Sequence, residues 1–105
     1  MEKDFWIQVL QTALKNNNDL VQRYLALEMK LYLFGSATYN KKPNDIDILI
    51  CYNTKDMEEA ILIKKITTNY LEDVVNMSID CILMSYKENE QLNFIQKERA
   101  IHIFP

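Results

Sequence analysis

The sequence predicts an α+β domain in which a small mixed β-sheet of three to four strands is covered by helices. Two short runs, Leu31 to Phe34 and Ile46 to Tyr52, are apolar, rich in branched or aromatic residues and bounded by turn formers, as buried strands are. Stretches on either side carry apolar residues at the three-to-four spacing of helices with one apolar stripe. The second strand is joined to a third apolar run through one of these helices, the usual crossover unit of a helix-covered sheet. A chain of 105 residues accommodates one such domain, spanning 1–105.

Taken in order, Phe5, Trp6, Val9, Leu10, Ala13 and Leu14 form the stripe of a first helix, with Trp6 in the core. The polar run Lys15-Asn16-Asn17-Asn18-Asp19 ends it, and Asn18 or Asp19 is expected to cap a second helix through Leu20, Val21, Tyr24 and Leu25. Lys30 starts the first strand. Beyond the second strand, Asp56 and Glu59 have the spacing of a helix start, and Met57, Ala60, Ile61, Lys64 and Leu71 continue for about four turns. Residues 76–84 read as a third strand, with Ser78 and Asp80 on one face. Ser85 and Glu88 are spaced for a capping box opening a last helix through Leu92 and Ile95, and Ile101 to Phe104 form a short edge strand on which the closing Pro105 is tolerated.

Hydrophobic residues make up 49% of the chain and charged residues 26%, with a formal charge of −3, the composition of an ordinary globular domain. Basic residues are interleaved with acidic ones, which excludes an extended nucleic-acid surface. The first residues are charged and their apolar positions are broken by Gln8, Gln11 and Thr12, so a signal peptide is not expected; no run reaches membrane-spanning length, and a cytoplasmic location follows as the expectation. Cys51 and Cys81 lie in strand segments, as buried thiols do, and without a C-x-x-C pair and with one His a structural zinc site is not expected.

Three acids interrupt segments otherwise chosen for burial: Asp45, Asp47 and Asp80. Asp45 and Asp47 are two apart and share a face, roughly 6 to 7 Å apart at the backbone. Such a pair repels itself unless it faces water or holds a cation, and a divalent metal suits hard oxygen ligands so placed. If the second and third strands are neighbours in register, Asp80 joins the pair. The only glycine, Gly35, followed by Ser36, closes the first strand.

Gly35-Ser36 after an apolar strand, Asp45-Ile46-Asp47 after a loop and Asp80 in a later strand together resemble the minimal nucleotidyltransferases of the polymerase-β superfamily. The resemblance spans most of the chain. It implies the palm-like nucleotidyltransferase fold, with Asp45, Asp47 and Asp80 as catalytic, metal-binding residues for Mg²⁺ or Mn²⁺ and Gly35 and Ser36 as nucleotide-binding residues for a nucleoside triphosphate, ATP being the expected donor. It further implies transfer of a nucleoside monophosphate, AMP by preference, to a hydroxyl of a protein or small-molecule acceptor. The alternative it carries is a binding module of the same fold with little or no catalysis, such as an antitoxin docking on a helical HEPN-type protein; a homo-oligomer and a purely structural metal-binding domain are further options. The loop departs from the family pattern in lacking an Arg and a second Gly after Gly-Ser, and Lys41 and Lys42 are the cations available there. Tyr39 is expected to cover the sheet edge and His102 to lie on the surface.

Overall fold

A computed structural model describes residues 4–105; residues 1–3, part of the charged start weighed above against a signal peptide, lie outside the described residues. Among the described residues nine α-helices and β-strands follow one another: α1 (Phe5–Lys15), α2 (Asn18–Ala26), β1 (Lys30–Phe34), β2 (Ile46–Tyr52), α3 (Met57–Val75), β3 (Ile79–Ser85), α4 (Tyr86–Leu92), α5 (Phe94–Lys97) and β4 (Ile101–Phe104). The strands form one sheet in the order β3-β2-β1-β4. β1 runs antiparallel to both β2 and β4, while β2 and β3 are parallel and joined through α3, so the sheet is mixed.

The period-two alternation of β2 divides the core into two layers. Ile46, Ile48, Ile50 and Tyr52 join the larger apolar cluster with Leu10 and Leu14 of α1, Leu20 and Tyr24 of α2, and Ile63 and Leu71 of α3. Leu49 and Cys51 point the other way and pack with Met84 against Tyr86, Phe94 and Ile95 from the α4–α5 segment. Both faces are therefore helix-covered, which is why β2 is an almost unbroken apolar run. A buried polar pair in the larger layer is satisfied: the Tyr24 and Thr67 hydroxyls lie 2.8 Å apart.

Several boundaries differ from the sequence expectation. α2 is capped one residue earlier, by Asn17, whose side chain accepts from the Leu20 amide. α3 has 19 residues, about five turns rather than four. It ends on Asn76 in the left-handed conformation, φ 54°, and β3 begins only at Ile79. Asp56 occupies the N-cap position without a side-chain cap, behind a 3₁₀ turn over Thr54–Asp56. The capping box of Ser85 and Glu88 forms with both of its hydrogen bonds, but the helix it opens is split at Asn93, φ 55°, into α4 and α5. No helix among the described residues is long and apolar enough to cross a membrane.

Candidate metal and phosphate site

The acids meet at one end of the sheet because of strand register. β2 and β3 pair in parallel with Asp47 opposite Asp80, and on the other side Phe34 stands opposite Asp47. Asp45 precedes β2 by one residue. One carboxylate oxygen from each of Asp45, Asp47 and Asp80 lies within 4.8 Å of the other two. Asp45 and Asp47 are half-buried and Asp80 is exposed, so the cluster opens to solvent on the Asp80 side.

The electrostatics are those of unrelieved like charge. Burial, then the charges of Asp45 and Asp80, hold the Asp47 carboxyl above its ordinary value. Hydrogen bonding with Asp45, and then its charge, push Asp80 upward too. The only ion pair among the described residues, Arg23 with Asp19, is in α2, and none reaches the cluster. Three hard oxygen donors converging without a protein cation fit a divalent ion such as Mg²⁺ or Mn²⁺.

Gly35 and Ser36 begin a 3₁₀ turn, Gly35–Thr38, that leaves β1 directly beside the acids. Gly35 has φ +75°, a conformation that disfavours any side chain, and a Cβ there would collide with Asp47 Oδ2, with Asp47 Cγ at 3.3 Å. The turn is pinned from within: Thr38 Oγ1 donates to the Gly35 carbonyl at 2.7 Å, and the amides of Tyr39 and Asn40 donate to the Ser36 carbonyl at 3.1 and 2.7 Å. The Ser36 hydroxyl has no protein partner among the described residues. A turn of this kind offers backbone N–H groups and a hydroxyl to an anion next to the acids.

All five residues singled out in the sequence are thus brought to one place. The lysines are placed differently from one another: Lys41 lays its ammonium 5.3 Å from the centre of the Phe5 ring, while Lys42 is exposed beyond an Asx-type turn in which its amide donates to Asn40 Oδ1 at 3.0 Å. Tyr39 does not cover the sheet edge as expected; it is 70% exposed. Two contributors are not evident from residue type. Trp6 donates its indole N–H to the Lys41 carbonyl at 3.0 Å, tying the loop to α1. Phe34, edge-on to Phe94 with centroids 5.1 Å apart, walls the site beside Asp47. Phe34 lies directly before Gly35, so its facing parity is the signal that could have found it; a tryptophan in an amphipathic stripe carries no comparable sign. Burial pushes the Cys51 thiol up to about 11 and the Cys81 thiol up to about 12, away from the reactive thiolate form.

No family model matches the chain, and no curated protein matches it.

Proposed function

We propose that the chain is a metal-dependent nucleotidyltransferase similar to the minimal members of the polymerase-β superfamily, moving a nucleoside monophosphate, AMP by preference, from a nucleoside triphosphate to an acceptor hydroxyl. The observation that carries this reading is the convergence of Asp45, Asp47 and Asp80 beside the Gly35-Ser36 turn. Asp45, Asp47 and Asp80 would hold Mg²⁺ or Mn²⁺, which when bound supplies positive charge for the triphosphate and lowers the pKa of the acceptor hydroxyl. The amides and hydroxyl of the turn bind the outer phosphates and orient the α-phosphorus towards the acids. The acceptor oxygen bonds to that phosphorus as the bond to the bridging oxygen breaks, pyrophosphate leaves, and the hydroxyl proton passes to water. Phe34 and Phe94 shield one side of the reacting centre from solvent.

Incubation with α-labelled ATP, Mg²⁺ and candidate acceptors, among them a helical HEPN-type protein, tests the proposal. Label transfer by the wild type that is lost in both Asp45→Asn and Asp47→Asn supports it; transfer that survives in these variants overturns it.

A second reading is favoured by the engagement of Lys41 with Phe5, which turns a cation of an Arg-free loop towards α1. On that reading the chain binds without turnover and acts by docking on a HEPN-type partner. Inhibition of such a partner by Asp45→Asn as well as by the wild type would favour docking over chemistry.

A further inference from the structure

The two edges of the sheet are built differently. β4 has four residues, runs into Pro105 and pairs with β1 through a register shift, all features that blunt an edge. β3 has seven residues, pairs with β2 without a shift, and contains no Lys, Arg, Pro or Gly. Its Ile82 is 38% exposed.

The hydrogen bonds of β3 show which way each peptide group points. The Ile46 amide donates to the Ser78 carbonyl at 3.1 Å, so even-numbered positions face β2 and odd-numbered ones face outward. Two outward amides at the ends are already used: Ile79 donates to Glu72 Oε2 at 3.1 Å and Ser85 to Glu88 Oε1 at 2.9 Å. Between them, the outward amides of Cys81 and Leu83 find no acceptor among the described residues. They flank Ile82 symmetrically.

We propose that this edge is a dimerisation surface, on which a second copy of the chain lays its own β3 antiparallel about a two-fold axis at Ile82. That register sets Cys81 opposite Leu83 of the second copy and Leu83 opposite its Cys81, which satisfies both free amides on each strand. Ile82 then faces its own counterpart, and Asp80 stands opposite Met84, keeping the carboxylates of the two copies apart. An axis at Cys81 would need the Ile79 amide that Glu72 holds, an axis at Leu83 would need the Ser85 amide that Glu88 holds, and an axis at Asp80 would oppose like charges. The pairing joins two sheets into one of eight strands and holds whether or not the acid cluster turns over substrate.

Sedimentation equilibrium on the full chain at high micromolar concentration is expected to give twice the monomer mass. Ile82→Lys, which sets two ammonium groups face to face at the axis, is expected to give the monomer mass with an unchanged circular dichroism spectrum. Ile82→Cys is expected to form a disulfide-linked dimer under mild oxidation that the wild type, with Cys51 and Cys81 only, does not form, because facing Cβ atoms in such a pair lie about 4.5–5.5 Å apart. A wild type that stays monomeric, as it would if the edge serves a strand of another protein, overturns the proposal. So does a dimer that Ile82→Lys leaves intact and Ile82→Cys does not cross-link.

Discussion

Gly35 and Asp47 are packed so closely that the glycine has no room for a side chain: a Cβ at position 35 would overlap the Asp47 carboxylate, and the backbone there is left-handed. The chain's single glycine therefore sits where the Gly35–Thr38 turn meets Asp47 of the acid cluster. A side chain at position 35 and the present position of the Asp47 carboxylate exclude one another.

Gly35→Ala is expected to lower stability by about 1–3 kcal/mol, the scale of a residue forced into a sparsely populated backbone region, and to displace Asp47. Thermal melts and Mn²⁺ titration check this. An unchanged melting temperature with unchanged metal affinity would contradict it.

The acid cluster should destabilise the metal-free protein at neutral pH. Asp47 and Asp80 both have folded-state values raised above the ordinary 3.8, so the folded chain binds protons more tightly than the unfolded one. Their contribution is most favourable below that value and is lost as pH rises through the raised folded values. Asp80→Asn is expected to melt higher than wild type at neutral pH without metal, and lower relative to wild type once Mg²⁺ is added. Melting curves from mildly acidic to neutral pH, with chelator and with Mg²⁺, give the comparison; a lower melting point for the metal-free variant would refute the electrostatic account.

Trp6→Phe keeps most of the buried ring but removes the donor to the Lys41 carbonyl. A loss of about 1 kcal/mol is expected, together with faster amide exchange in residues 39–44 and little change in the sheet. Exchange that rises equally throughout the chain would show that Trp6 acts on the whole core instead of on the loop.

Tyr24→Phe leaves the Thr67 hydroxyl buried without its partner, which is expected to cost about 1–3 kcal/mol in denaturant unfolding at unchanged slope. Thr67→Val in the same background should recover part of the loss, since both ends of the pair are then apolar. No recovery would mean that the hydrogen bond is not the source.

Where the sequence is legible, the local signals and the tertiary structure agree. β2 is recognisable because six of its seven residues are apolar and suited to burial on two faces, and Asp47 stands out against that background. The Ser85–Glu88 box is a purely local motif and forms as written. Boundaries fail where the backbone changes hand: Asn76 and Asn93 adopt positive φ, one ending α3 and the other splitting the last helix, and asparagine marks such sites without distinguishing them from ordinary turns. Convergence of Asp80 with Asp45 and Asp47 depends on parallel pairing of β2 with β3 in one register, a non-local fact that residue spacing only permits. The Trp6 tie to Lys41 spans 35 residues and has no local signature at all.

Calorimetric titration of Mn²⁺ into the full chain, with and without a non-hydrolysable ATP analogue, tests the central claim most directly, that Asp45, Asp47 and Asp80 form a divalent-metal centre serving a nucleotide. Binding is expected in the wild type, stronger with the analogue present, and weaker by about tenfold or more in each Asp→Asn variant, at least the scale on which a metal site responds to a lost supporting contact. Mn²⁺ binding that is indifferent both to the analogue and to substitution of Asp47 would contradict it.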